Sequence, residues 1–465
     1  MARPRRGDVL SVRIDDLAFG GEGVARVDGY VVFVPGGVPG DQLRVRLVLS
    51  RSRFGRGLIE AVETPSPHRV EAPCPYVGRC GGCRLQHVAY PAQLAFKQKQ
   101  VADVLERLGA LQGFELRPII GAPDIFGYRN KMEFTVAPRA ARSHGGAPAE
   151  PGDGLVVGLH EADRYDAVLD VERCLLQSDR MNALLAESRS FLAEAGLTAY
   201  DQHSGEGLVR FLMLRDGRQT EEGMANVVTT APAVSELAPL AERLRAGVPG
   251  TSSVVMNVNP KKASVAVGVE EHLLAGRDHI RERLDGLVFQ ISANSFFQTN
   301  TMQAERLFAL VLDAAELGGE ETVLDLYSGT GAISLLLARR CRHVYGVELA
   351  QAAVDDAARN AAANGIDNCT FLAGEVRFAL PALMARGVTA EVVVADPPRA
   401  GFHPKALDAL ARLGPARIVY VSCNPSTLAR DVGELVRGGY RLRWVQPVDM
   451  FPHTPHIEAV ARLDR

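Results

Sequence analysis

Between residues 8 and 63, short runs of apolar and β-branched residues alternate with glycine turns: Ser11–Ile14, Gly23–Val27, Tyr30–Val34, Leu43–Val48 and Gly57–Val62. Five strands at this spacing predict a small closed barrel of the OB kind. After a linker at Thr64–His68 the pattern changes. A helical period covers 91–108, strands are predicted at 128–136 and 155–160, and mixed α/β patterning runs to about residue 285. The Ala/Gly/Pro-rich stretch 139–154 reads as a flexible loop. From residue 288 strands and helices alternate strictly. Strands are predicted at 322–327, 343–348, 369–372, 391–396, 416–422, 441–446 and 457–462, and helices at 331–339, 350–363, 404–412 and 426–437. Asn364-Gly365 stops the second of these helices. Such alternation with short connections predicts a doubly wound, mostly parallel α/β sheet. Three domains follow: a barrel at 1–68, a central α+β domain at 69–287, and the doubly wound domain at 288–465.

Composition narrows the class. A chain of 465 residues exceeds one ordinary core, and 23% charged with 47% hydrophobic residues marks a globular protein rather than a disordered one. The net charge of -3 leaves polyanion binding to local patches. One candidate is Leu43–Gly57, which holds Arg44, Arg46, Arg51, Arg53, Arg56 and Phe54 and no acidic residue. It reads as an RNA-backbone stripe with a stacking aromatic, or as an edge strand whose charges only prevent aggregation. No apolar run is long enough to span a bilayer, and the basic start Met1–Asp8 lacks the apolar segment of a secretory signal. Seven cysteines, an odd number with no paired framework, fit a reducing cytoplasm with thiols used for metal or chemistry. No pattern suggests oligomerisation or a membrane partner, so a monomer is expected.

Four places carry candidate chemistry. Cys74, Cys80 and Cys83 form a C-x5-C-x2-C cluster, with Cys174 the next cysteine available as a fourth ligand. Soft thiolates at this spacing suit zinc or an iron–sulfur cluster, and spacing alone does not separate the two. Cys341 and Cys369 sit among sheet residues and read as core packing. Asp325 ends one predicted strand, and Ser328-Gly329-Thr330-Gly331 opens the next helix where open α/β sheets bind nucleotides. Glu348 and Asp396 end two further strands. Ser334 replaces the third glycine of a dinucleotide fingerprint, which disfavours an iron–sulfur oxidoreductase using a dinucleotide and favours an adenosyl-type cofactor such as S-adenosylmethionine. Asn300 with Gln303 reads as a capping box, whereas Gln298 has no such local duty.

The fourth place is the apolar run Val419–Ser422 leading directly into Cys423-Asn424-Pro425. A strand-end thiol is positioned for chemistry, against the commoner fate of a buried structural cysteine. A thiol beside a methyl donor suits a pyrimidine ring, whose C5 becomes nucleophilic once sulfur adds at C6; a base must then remove the C5 proton. Glu458, which opens the last strand after the turn Phe451–His456, is the candidate base if that strand lies antiparallel beside the one ending at Cys423. An ordinary edge-strand glutamate is the alternative. His453 and His456 are candidates to orient either group, or plain turn residues.

Together, Asp325–Gly331, Asp396-Pro397-Pro398-Arg399, Ser422–Pro425 with Leu428–Asp431, and Phe451–Thr454 running to Glu458 resemble the RNA 5-methyluridine methyltransferases. The N-terminal barrel resembles a TRAM domain through Gly20–Gly23, Val34-Pro35 and Pro39–Asp41. This resemblance implies a class I methyltransferase sheet with one antiparallel strand, preceded by an OB-like TRAM barrel and a central α+β domain. It implies Cys423 as nucleophile, Glu458 as proton acceptor, and Gln298, Tyr327, Glu348 and Asp396 as S-adenosylmethionine ligands. It also implies a [4Fe-4S] cluster on Cys74, Cys80, Cys83 and Cys174, with a structural or RNA-folding role. The expected substrate is a flipped uridine of structured RNA, 23S rRNA rather than tRNA.

Overall fold

The computed structural model describes residues 3–139, 154–164, 166–262 and 265–465. The loop expected at 139–154 therefore lies outside the described residues apart from its two ends. Strands Val9–Leu17, Glu22–Val27, Tyr30–Pro35, Gln42–Ser50 and Phe54–Thr64 close into one barrel. Alternation decides what fills it: Val12, Ile14, Ala25, Val32, Val34, Leu43, Val45 and Leu47 point inward and form its core, while the arginines between them face out. The central region is a seven-stranded sheet running from Glu270–Gly276 at one edge to Val168–Asp170 at the other, backed by helices Asp179–Glu194 and Val234–Gly247. A hairpin, His279–Leu284 with Leu287–Ser292, leads into the C-terminal sheet.

Seven strands of that sheet are labelled here β1 (Thr322–Leu326), β2 (His343–Glu348), β3 (Cys369–Ala373), β4 (Val392–Ala395), β5 (Arg417–Ser422), β6 (Arg441–Val448) and β7 (Glu458–Asp464). Their order is β3-β2-β1-β4-β5-β7-β6. The first five are parallel, and β7 runs antiparallel between β5 and β6. This is the doubly wound sheet that the pattern predicted, with the one antiparallel strand of the class I methyltransferase sheet that the resemblance implied, behind a five-stranded barrel. Both faces of the sheet are covered: Val323 and Val394 point into one apolar cluster, and Leu324 and Val393 into the other.

Two elements packed with this sheet were not predicted from the pattern, helix Val376–Ala385 and strand Glu115–Leu116, whereas the helix predicted at 91–108 is present as Tyr90–Arg107. Helix Val376–Ala385 follows β3, and its interior Pro381 masks the helical signal. Helix Tyr90–Arg107 and the two-residue strand Glu115–Leu116 lie in the stretch read as central domain, yet they pack on the C-terminal sheet. Glu115–Leu116 pairs in parallel with β6 at its edge. Val101, Leu105 and Leu111 share a core with Val432 and Leu435 of helix Pro425–Arg437. Among the described residues, no helix is long and apolar enough to cross a membrane.

Candidate active site

The carboxyl ends of β1, β4 and β5 and the start of β7 converge on one edge of the sheet. The last paired residues of β5 and β7 are Ser422 and Ala459. Cys423 follows β5 directly and Glu458 opens β7, so the two stand next to each other at the end of the ladder, near enough for Glu458 to act on the Cys423 thiol. Cys423 lines a cleft of about 160 Å³ with Arg399, Asn424, Pro455, His456 and the barrel residues Phe19 and Gly20. Glu458 is 6% exposed.

Local chemistry holds this turn in shape. Asn424 caps helix Pro425–Arg437 by accepting the Ser426 N–H at 3.0 Å, and its Nδ2 donates to the Arg399 carbonyl at 3.1 Å. Buried Asp431 accepts hydrogen bonds from the Phe402 N–H and the Tyr420 hydroxyl, each at 2.8 Å, and pairs with Arg430 at 2.7 Å. Arg430 in turn donates to the Ala400 and Phe402 carbonyls. The Leu428–Asp431 segment thus braces the 396–402 loop against the Cys423 turn, a role the sequence motif did not reveal.

Electrostatics single out the same residues. Burial pushes the Cys423 thiol up to about 11, helped by Glu458 and Asp396 and opposed by Arg399. Burial raises the Glu458 carboxyl well above its ordinary range; Asp396 adds to this and Arg399 opposes it. Burial alone takes Asp396 to about 7. Arg399 is the cation on which these acids converge, and its Nη2 lies 3.2 Å from Nδ1 of His456. His456, lowered to about 4 by burial and then by Arg399, is a neutral ring at pH 7. His453 faces away from the cleft. It is a turn residue with φ of +67°, stacked on Phe126 at 4.4 Å and held by Gln93 through Nδ1.

A second cavity, about 50 Å³, is lined by Gln298, Asp325, Tyr327, Gly329 and Asp396. Gly329 and Gly331 have φ of +54° and +84°. At Gly331 a Cβ would also meet Ala357 at 3.0 Å, so this turn needs glycine for both conformation and space. Tyr327 holds φ of +68° without being glycine, its ring edge-on to Phe402 at 5.6 Å. Ser334, at the missing-glycine position, donates to Asp325 Oδ2 at 2.5 Å. Asp325 Oδ1 and Ser328 Oγ are buried with no hydrogen-bond partner among the described residues, and burial raises Asp325 to about 7. Unmet polar atoms and uncompensated carboxyls around a glycine turn fit a hydroxyl-bearing, cationic ligand. Glu348 does not line this cavity. Its two oxygens accept the Gly329 N–H at 3.1 Å and the Ala350 N–H at 3.0 Å, so it holds the glycine turn from behind. Gln298 sits just before the helix Thr301–Ala315, which Asn300 caps. The capping box is half made, because the Gln303 side chain donates to the Asp449 and Ile120 carbonyls instead of returning to Asn300.

The four cysteines Cys74, Cys80, Cys83 and Cys174 line a third cavity, of about 310 Å³, and all are free thiols. Burial pushes Cys83 up to about 12 and raises Cys80 and Cys174 as well. Among the described residues no three His, Cys, Asp or Glu side chains come together as ligands of a metal ion. Cys341 is buried and Cys369 half-buried within the C-terminal sheet's packing, and neither lines any of these three cavities.

Comparison with known proteins decides the family. The chain is 41% identical over 459 residues to an uncharacterized RNA methyltransferase of Halalkalibacterium halodurans, covering 99% of this chain and 97% of that one. A model of the tRNA (Uracil-5-)-methyltransferase family matches residues 261–465. This chain belongs to the RNA (uracil-C5)-methyltransferase family. Its barrel matches the TRAM domain over residues 3–59. Another RNA methyltransferase relative, from Chlorobaculum tepidum, is 40% identical across 100% of this chain and 98% of its own. The solved tRNA (uracil-54, C5)-methyltransferase of Pyrococcus abyssi, in complex with S-adenosyl-L-homocysteine, superposes with a TM-score of 0.76 at 32% identity, covering 97% of this chain and 99% of that one. The uracil-C5 methyltransferase architecture therefore extends through the barrel, the central sheet and the C-terminal sheet alike.

Proposed function

We propose that this enzyme methylates C5 of a uridine in structured RNA with S-adenosylmethionine, using Cys423 as the nucleophile at C6 and Glu458 as the base. The observation that supports this reading is the β5–β7 register, which ends beside Cys423 on one strand and begins at the buried carboxyl of Glu458 on the other, close enough for Glu458 to raise the Cys423 thiol. Cys423 keeps its proton at neutral pH, so that proton passes to water in the cleft as sulfur adds to C6 and is regained once the thiolate is released. Addition turns C5 into an enolate carbon. S-adenosylmethionine, bound in the cavity at the glycine turn, supplies the electrophilic methyl group. Glu458 then accepts the C5 proton, the C5–C6 double bond re-forms and the sulfur leaves. A carboxyl whose hold on a proton is raised by burial is a stronger base for that step than an exposed one. Gln298, Tyr327 and Asp396 would hold the cofactor from the cavity lining, and Glu348 with the lone pairs its backbone bonds leave free.

Cys74, Cys80, Cys83 and Cys174 would hold a [4Fe-4S] cluster with a structural role. Four free, half-buried thiols lining one cavity support this. For the substrate, the pairing of a TRAM barrel with a cysteine cluster favours 23S rRNA. The Pyrococcus abyssi likeness favours a second reading, tRNA.

The test is Glu458→Gln incubated with S-adenosylmethionine and RNA from cells lacking the protein. A covalent protein–RNA adduct that survives denaturation is expected, absent when Cys423→Ala is added. Normal turnover of Glu458→Gln would remove the base assignment. Mapping 5-methyluridine in ribosomal and transfer RNA from the same cells identifies the substrate, and no lost methyl group in either would sink the function.

A further inference from the structure

The cleft around Cys423 has one wall that does not come from the methyltransferase sheet. Phe19 and Gly20 belong to the first turn of the N-terminal barrel, some 400 residues away in sequence, and they line the cleft together with Cys423, Arg399 and His456. The Phe19 ring is 49% exposed and has no aromatic partner among the described residues. An exposed phenylalanine on a loose loop would mean little. This turn is not loose.

The turn is closed by the Ala18 N–H donating to the Glu22 carbonyl at 2.8 Å and the Gly21 N–H to the Ala18 carbonyl at 2.9 Å. Gln100 Nε2 donates to the Leu17 carbonyl at 2.9 Å and the Ala18 carbonyl at 3.3 Å, and Lys99 pairs with Asp16 at 2.6 Å, so helix Tyr90–Arg107 grips the strand end. Leu17 is buried against Leu85, Val88 and Ala92. Gly21 has φ of +88°, and a Cβ there would meet Arg84 at 3.3 Å and Pro455 at 3.6 Å, so the turn lies directly on the segment leading to Glu458. A rigid mount thus holds a half-exposed aromatic ring over a reactive cleft.

We infer that Phe19 is a positioning residue of the active site, stacking on an RNA nucleobase drawn out of its helix into the Cys423 cleft. This rests on the function proposed above. A free ring of moderate area beside a cationic side chain, Arg399, is what an unstacked base and its phosphates require, and stacking of this kind tolerates any base. About 160 Å³ leaves room for roughly one such ring rather than a base pair. The barrel would then take part in base capture at the reaction centre, in addition to gripping RNA through its arginines.

The experiment uses the full chain and the ribosomal and transfer RNA fractions from cells lacking the protein. Phe19→Ala should lower kcat/KM by roughly 5- to 150-fold, the range of a lost base–aromatic stack, with the melting temperature unchanged and with Phe19→Trp restoring most of the loss. The one native tryptophan, Trp444, is 6% exposed and covered by Arg117, so a tryptophan at position 19 reports from the cleft. In Phe19→Trp combined with Cys423→Ala, which cannot turn over, its emission excited at the red edge should be quenched by the substrate RNA fraction. Wild-type kcat/KM in Phe19→Ala, or no quenching at position 19, overturns the proposal. A lowered melting temperature without tryptophan rescue assigns the ring a structural role and also overturns it. If Glu458→Gln with Phe19 intact forms no RNA adduct, the methyl-transfer reading itself has failed; if it forms one and Phe19→Ala is silent, only the stacking role has.

Discussion

Lys97 and Asp449 form an ion pair 2.7 Å long in which neither side chain is more than 1% exposed. The lysine comes from the helix Tyr90–Arg107 and the aspartate from the loop between β6 and β7. Asp449 Oδ1 also accepts the Phe451 N–H at 3.3 Å, and Lys97 donates to the Phe451 carbonyl at 3.3 Å, so the pair fixes the start of the loop that delivers Glu458. The Tyr90 hydroxyl also faces the Asp449 carboxylate, which raises the tyrosine. Burial alone would push the Lys97 ammonium down, and Asp449 pulls it back. Changing Lys97→Met leaves a buried carboxylate with no cation, at a cost of about 3–5 kcal/mol. Adding Asp449→Asn removes the stranded charge while keeping an acceptor for Phe451, and should recover more than half of that cost. A melting temperature reports the whole chain and does not say which segment has loosened. Hydrogen exchange at the amides of residues 451–456 reads the loop directly, and the single variant should exchange there roughly 10²- to 10³-fold faster. If the single variant exchanges within a factor of a few of wild type, or the double variant is faster still, the buried charge does not hold the loop and the argument fails.

Asp325 and Asp396, both raised to about 7, lie on the proposed cofactor cavity. A cation binds their ionised forms, so S-adenosylmethionine affinity should fall as pH drops below about 7, and titration calorimetry from pH 5.5 to 8.5 checks it. A pH-independent affinity would mean that neither carboxyl meets the charge. The same shifts act oppositely on the free protein: it binds more protons than its unfolded chain between about 4 and 7, so these two groups remove stability as pH rises through that window. Anaerobically purified protein should contain iron and sulfide, and Cys83→Ser should lose both; zinc alone would replace the cluster assignment.

Much of this site could be read before its geometry was known, and the reason is local. A glycine turn after a strand, a thiol at a strand end and a carboxyl opening the last strand each carry their meaning within a few residues. The antiparallel setting of β7, on which the Cys423–Glu458 pairing depends, was a topological guess that the register supports. What escaped was non-local. Nothing near Asp431 says that its carboxyl receives the Phe402 N–H, 29 residues upstream. Nothing near Phe19 says that it faces Cys423. Glu348 stands at its expected strand end, and nothing near it says that its oxygens also accept the Gly329 and Ala350 N–H groups. Pro381 hid one helix, and the two residues Glu115 and Leu116 are too few to announce a strand.

That small strand and the helix before it have a consequence for how the protein is made. Synthesis runs from the amino terminus at about 5–20 residues per second, so roughly 20–70 s separate the emergence of residue 116 from that of the final strand. Throughout that interval Val101, Leu105 and Leu111 have no sheet to cover them, because their partners on β5, β7 and helix Pro425–Arg437 are still being added. A fragment starting at residue 288 has the converse defect: β6 becomes a bare edge, and the hollow meant for Leu105 opens to water. The C-terminal sheet is thus complete only when the first quarter of the chain and its last residues meet, and neither end folds well without the other.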